Sequence, residues 1–138
     1  MKKYIAAIII STLTCFAAES VVSGYAIAPK ADLKGATLIS EYLQEASLAG
    51  ADLRGANLHE ARLDFANLTG ATLKGANLEK AELPDADLRG ANLRGANLCW
   101  ANLAGVKLDN ADLTHAKLQG AIWTDGRICA ENSIGVCL

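Results

Sequence analysis

Aromatic residues are scarce in this chain of 138 residues. They make up 5% of the sequence, although 51% of the residues are apolar. The apolar content therefore comes from small and aliphatic side chains, which favours an interior built from a Leu/Ala ladder over a conventional core. The length predicts a single domain.

An excess of charge of either sign is also absent. Thirteen Lys and Arg residues stand against fifteen Asp and Glu, giving a formal net charge of −2. This balance argues against a protein that binds polyanions, and equally against an extremely acidic surface. No glycine-rich phosphate-binding loop occurs, since the glycines recur at a regular five-residue spacing.

What the chain does contain is a repeat of five residues that runs from 31 to 125 without a break. Leu occupies the third place from Leu33 to Leu118, and Trp123 takes the last such place. Ala stands two residues earlier, replaced only by Glu41 and Val106, and Asp or Asn often lies between. The fifth residue is most often Gly. The segment comprises 19 copies of A-(D/N)-L-x-x and covers 95 residues.

A period of five matches neither the helical period of 3.6 nor the strand period of 2. It does suit a chain that turns a corner after each short extended piece, with Leu and Ala directed inward and Gly at the corner. Four such pieces close a square of about 20 residues, and stacked squares pair through parallel backbone hydrogen bonds. The sequence therefore predicts an all-β solenoid.

These copies closely resemble the pentapeptide-repeat family. The resemblance implies a right-handed quadrilateral parallel β-helix, here with about 4.75 coils. Two residues depart from the pattern. Glu41 places a carboxylate at an inward position in the first coil, which predicts an open or irregular end of the stack there. Pro84 should lie at a corner because it lacks an N–H.

Both ends of the chain differ from the repeat. Residues 1–26 read as a signal peptide with cleavage after Ala26, and 27–30 as a short lead-in. The alternative is an uncleaved membrane anchor, although the apolar run of about fifteen residues is short for a span of roughly 20. Residues 126–138 are predicted to cap the last coil.

The cap is predicted to contain a disulfide. Cys129 and Cys137 lie eight residues apart in an exported chain, where disulfides persist, and the alternative is two free thiols. The segment also resembles the ending of many exported pentapeptide-repeat proteins in Trp123, Asp125, Gly126, Cys129, Ser133, Gly135 and Cys137. Cys99 is left as an unpaired thiol, available for a covalent dimer.

Assigning every fourth repeat to one wall sorts the outward residues into columns. The first wall carries a cationic column of Lys34, Arg54, Lys74 and Arg94. The third wall is acidic, with a net charge of about −4 from Arg62 and the carboxylates Glu45, Asp64, Glu82, Asp85 and Asp125. Phe65 and Trp100 are outward aromatics. These columns are candidates for a docking surface. Alternatively they are solvated faces, with the aromatics covering corners or packing under the tail.

Nothing in the sequence points to catalysis. His59 and His115 fall on different walls, so no catalytic residues, metal site or cofactor are predicted. The first interpretation is a non-enzymatic exported structural or protein-interaction module, monomeric or a weak homodimer. The expected partner is a protein, with no nucleic acid and no membrane anchor after signal cleavage. The expected compartment is the periplasm, with thylakoid lumen or secretion as alternatives.

The family resemblance implies a second interpretation, a DNA mimic that binds a topoisomerase, DNA gyrase. Such a mimic needs a dense negative rod in the cytoplasm. A stack of this size is only about 23 Å long at roughly 4.8 Å per coil. It also carries a cationic column, and the export signal directs it elsewhere.

Overall fold

The computed structural model describes residues 20–138, and residues 1–19 of the predicted signal peptide lie outside this range. Two short strands come first, β1 (Ser20–Val22) and β2 (Tyr25–Ile27). They pair antiparallel with Val21 opposite Ala26. The last residues of the predicted signal peptide thus form a β-hairpin. Residues 20–138 contain no helix that is both long and apolar enough to cross a membrane.

The repeats then form coils of 20 residues. Each second-place residue forms a parallel bridge with the residue 20 positions later, from Asp32 with Asp52 to Asn102 with Ile122. The backbone hydrogen bonds run both ways, since Leu33 N–H donates to the Asp52 carbonyl at 2.8 Å and Asp52 N–H donates to the Ala31 carbonyl at 2.9 Å. One coil therefore contains four pentapeptides, as predicted.

Each pentapeptide ends in a β-turn that forms a corner of the coil. The N–H of Ala36 donates to the carbonyl of Leu33 at 3.0 Å, and the same bond recurs at the following corners. The fourth and fifth residues occupy the turn. From Gly35 to Gly120 the fifth residue has a positive φ, between 53° and 70°. Pro84 takes the fourth place at one corner, as predicted, where its fixed φ suits the second residue of a turn.

The core is the ladder of third-place leucines. Leu33 to Leu103 are at most 1% exposed, as is Leu118, and nearly all the first-place alanines beside them are buried. Burying one leucine stabilises the folded chain by about 1.5–3 kcal/mol relative to leaving it exposed. The interior is filled by stacked Leu and Ala side chains from all four walls, which accounts for the scarcity of aromatic residues.

The C-terminal tail covers part of the last coil, where Leu108 and Leu113 remain partly exposed. The C-terminal tail forms antiparallel bridges with the last coil, Lys117 with Ile134 and Ile122 with Ile128. A disulfide joins the buried Cys129 and Cys137, whose Cα atoms are 4.9 Å apart. Cys99 is a free thiol and half-buried.

The expected irregularity at Glu41 is wrong. The first coil keeps its regular ladder there, with Tyr42 bridged to Arg62. The Ser23 hydroxyl, in the turn of the hairpin, donates a hydrogen bond to the Glu41 carboxylate. The carboxylate is tolerated at an inward position because it lies at the end of the stack, where the hairpin rather than another coil covers it.

Candidate interaction surface

The corners of the coil are of two kinds. The two corners that bound the first wall have glycine in the fifth place at 35, 55, 75 and 95 on one edge and at 50, 70 and 90 on the other. The two corners that bound the third wall carry side chains there instead, until the last coil reverses the pattern with His115 and Asn110 at the former corners and Gly105 and Gly120 at the latter. We call the side chains at the third-wall corners the Trp100 ridge (Ser40, Glu60, Lys80, Trp100) and the Phe65 ridge (Glu45, Phe65, Asp85).

All of these ridge residues have a positive φ, from 53° at Ser40 to 62° at Trp100. A residue with a Cβ pays roughly 1–2 kcal/mol for this conformation, because the Cβ approaches the following carbonyl oxygen. Glycine avoids that penalty and already occupies the same turn around the first wall. The fold therefore does not require the ridge side chains, which are kept at an energetic cost.

Large exposed apolar side chains are confined to the same part of the coils. Within 31–125 they are four residues, exposed by between 43% and 63%: Ile39, Tyr42, Phe65 and Trp100. Ile39 lies beside the Trp100 ridge, and Tyr42 lies on the third wall between the two ridges. The first and fourth walls carry none in the described part of the chain.

Trp100 lies against the next coil. A Cβ on Gly120 would come within 2.3 Å of Trp100 Cε3, so the indole occupies space that any side chain at Gly120 would need. Trp100 is nevertheless 56% exposed. Trp100 therefore covers a corner, which was one of the predicted alternatives, and part of its ring also remains exposed to solvent.

Most carboxylates of the third wall have no cation at ion-pair distance within residues 20–138. Arg62 is the wall's only cation, and it is engaged by Asp64, with Nη2 3.5 Å from Oδ1, and by the Tyr42 ring, 6.0 Å from Cζ. Glu82 accepts a hydrogen bond from Asn102 Nδ2 at 2.8 Å. Within residues 20–138, the predicted Glu45, Glu82 and Asp85 have no ion-pair partner. Asp64 is half-buried, and its Oδ2 has no hydrogen-bond partner.

Some carboxylates of the first and fourth walls are paired with arginine, whereas Asp32 and Asp109 have no ion-pair partner within residues 20–138. Arg54 binds Asp52 with two nitrogens, Nε at 2.8 Å from Oδ1 and Nη2 at 2.5 Å from Oδ2. The hydrogen bonds from the Arg54 guanidinium lower the pKa of Asp52 to about 2. Arg89 binds Asp87 on the fourth wall in the same way and lowers its pKa.

The predicted cationic column is therefore only partly free. Arg54 is paired, and Arg94 Nη1 lies 3.2 Å from Asp112 Oδ2. The pKa of Asp112 is lowered first by the Thr114 hydroxyl and then by Arg94. Lys34 and Lys74 have no carboxylate within ion-pair distance in the described residues. The column is exposed, but half of it is neutralised locally.

The second wall is held by an asparagine ladder. Asn77 Nδ2 donates to Asn57 Oδ1 at 3.1 Å, and Asn97 Nδ2 donates to Asn77 Oδ1 at 3.2 Å. His59 pairs with Glu60, at 3.4 Å. Among residues 20–138, no three His, Cys, Asp or Glu side chains converge to hold a metal ion.

The sequence pattern alone indicates the acidic wall and Trp100 but does not connect them. Trp100 was counted with the second wall, whereas it stands at the corner where the second wall meets the third. The residue at the fifth place of each pentapeptide could have shown this connection. When these residues are sorted by wall, most glycines fall at one pair of corners and most larger residues fall on the ridges. The hairpin of β1 and β2 was also missed because it lies within the predicted signal peptide.

Comparison with known proteins agrees with this architecture. The sequence profile of pentapeptide repeats matches residues 30–64, 42–75 and 81–120, with eight copies. These matches cover more than half of the chain, so the protein belongs to the pentapeptide repeat family. Members of this family form right-handed quadrilateral β-helices. No curated protein matches the chain.

The solved structures that resemble it include two proteins from cyanobacteria. The pentapeptide repeat protein Rfr23 from the cyanobacterium Cyanothece 51142 is 39% identical with a TM-score of 0.55, and the match covers 63% of this chain and 56% of Rfr23. The protein alr5209 from Nostoc PCC 7120 is 43% identical with a TM-score of 0.53, covering 64% of this chain and 68% of alr5209. The chain thus spans just over half the length of Rfr23.

Proposed function

We propose that this chain is a non-enzymatic protein-interaction module of an exported compartment, about 4.75 coils long, and that its third wall is the docking face. The observation that carries the proposal is that every large exposed apolar side chain of the coils lies on that wall or at its two corners. Aromatic residues dominate the binding energy of protein interfaces, and an isolated soluble coil has no need of them.

Charge selects the partner class. Within residues 20–138, Glu45, Glu82 and Asp85 have no cation at ion-pair distance, whereas Asp52 and Asp87 have arginine partners. A face with uncompensated carboxylates attracts a partner surface that bears Lys or Arg and repels nucleic acid phosphates. The partner is therefore a protein. The chain acts as a monomer or a weak homodimer.

The exported setting rests on two features of the chain. The N-terminal segment has the composition of a signal peptide, and the Cys129–Cys137 disulfide belongs to an oxidising compartment. The periplasm is the proposed location, with a thylakoid lumen or the exterior as alternatives.

Electrostatics also disfavours mimicry of DNA for gyrase, since the Arg54 and Arg89 pairs leave no dense negative surface around the rod.

The test is a binding assay with the exported fraction as the source of partners and the exported chain as bait. The third-wall variant Glu45→Gln, Glu82→Gln, Asp85→Asn should lose most of the captured partner. Gln keeps the acceptor for Asn102, and Asn tolerates the positive φ at 85. The control variant Lys34→Gln, Lys74→Gln removes exposed charges of the opposite sign from the opposite wall and should retain the partner.

Equal capture by both variants would place the docking face elsewhere. A parallel assay of gyrase supercoiling should show no inhibition by the exported chain. Clear inhibition there would favour the DNA-mimic interpretation instead.

A further inference from the structure

The hairpin of β1 and β2 packs onto the first coil. Val22 is 5% exposed and Ile27 is 4% exposed, and both belong to the same apolar cluster as Leu33 and Leu38. Val21, beside Val22 in the same strand, is 63% exposed. The hairpin therefore has a buried face and a solvent face, as a strand pair does when it covers a core.

The first coil needs such a cover. Every later coil stacks on a preceding coil, but Leu33, Leu38, Leu43 and Leu48 have none. All four are nevertheless at most 1% exposed. The end of a solenoid that is left open exposes both apolar side chains and backbone groups. In this protein the hairpin fills that place.

A polar contact joins the hairpin to the coil at the position where a carboxylate replaces the repeat's alanine. Ser23 donates its hydroxyl hydrogen bond to Glu41, the one carboxylate that occupies an inward alanine place. Without Ser23 the half-buried carboxylate would lose this donor, and an unsatisfied buried acceptor destabilises a fold. The hairpin thus satisfies the Glu41 side chain as well as covering the leucines.

Cleavage after Ala26 would remove β1, Val22 and Ser23 and would leave Ile27 as the first residue. We infer that the hairpin is retained as the N-terminal cap of the exported protein, and that the leader is removed upstream of it, at the Ala17–Ala18 peptide bond. Cys15 and Ala17 supply the small-x-small pattern that leader cleavage requires there. In this step a signal peptidase hydrolyses the bond with water, which leaves the carboxyl group on Ala17 and the amino group on Ala18.

The first test is the N-terminal sequence and intact mass of the full-length chain after expression and export. The expected protein begins at Ala18. A protein that begins at Ile27, or one that keeps Met1, would overturn the assigned cleavage site.

The second test separates capping from processing, using two substitutions one residue apart. In Val22→Asp the amide hydrogens of Leu38 and Leu43 should exchange roughly tenfold faster or more, since the buried side of the hairpin is lost. In Val21→Asp, where the side chain is already exposed, exchange should stay as in the parent protein. Equal exchange in the two variants would show that the hairpin does not cap the coil, whichever N-terminus is found.

Discussion

The first and third walls share one backbone and differ in what they display. Gly75 and Phe65 occupy equivalent corners, with φ of 66° and 58°. At Gly75 the corner is bare, whereas at Phe65 a large ring is 63% exposed. Because the stack imposes the same turn on both, the difference cannot come from folding requirements. This difference supports the proposal that the third wall is the docking face.

Charge differs between the same two walls. On the first wall Asp52 is held by two nitrogens of Arg54, and Asp112 by Arg94. On the third wall, Glu45 and Asp85 stand at the corner without a cation. On the first wall two carboxylates are paired with arginine, whereas within residues 20–138 three carboxylates of the third wall have no cationic partner.

The largest expected effect tests whether the two walls are equivalent inside. Leu73 of the first wall and Leu83 of the third are both at most 1% exposed. Leu73→Ala and Leu83→Ala should each lower the free energy of unfolding by about 2–5 kcal/mol, since the stacked neighbours cannot collapse onto the cavity. Chemical denaturation measures this. A much smaller loss for one variant would show that the core distinguishes the walls.

A smaller effect is expected from exchanging the corner residues. Gly75→Phe should destabilise the fold by about 1–2 kcal/mol through its positive φ alone, because a Cβ there would meet nothing within 4 Å. The reverse change, Phe65→Gly, should stabilise the fold by up to about 1 kcal/mol, after the greater freedom of glycine in the unfolded chain is deducted. Thermal unfolding of both variants checks the signs, and a loss of stability in Phe65→Gly would mean that the ring supports the fold.

The smallest effect concerns the paired charges of the first wall. The folded-state pKa of Asp52 is lowered from 3.8 to about 2. The pair therefore contributes stability above pH 3.8 that is lost as the pH falls toward 2. The difference in melting temperature between the parent protein and Arg54→Gln should be small at neutral pH and should vanish across that window.

Lys74→Gln is the matched control, because Lys74 stands in the same column without a carboxylate partner. The difference in melting temperature between Lys74→Gln and the parent protein should not change as the pH falls from 3.8 toward 2. If the Arg54→Gln difference persisted unchanged at pH 2, the pair would not be the source of the stability.

The coil was predictable because its cause is local and repeated. Leu at every fifth residue, Ala two places earlier and Gly at the turn together specify the corner, the inward side and the spacing of 20 residues. Pro84 at a corner followed from the same reasoning. Glu41 was misjudged since a single inward carboxylate says nothing of what covers it, and Ser23 is 18 residues away in the sequence.

The amino-acid sequence by itself determined the stack, because a strict period of five leaves the backbone one way to bury every leucine. Only the tertiary structure decided which outward residues meet. It placed Trp100, Phe65 and three unpaired carboxylates around one wall, and it joined the hairpin to the first coil. Such neighbours are set by closure of the coil and by contacts between its ends, which no single pentapeptide encodes.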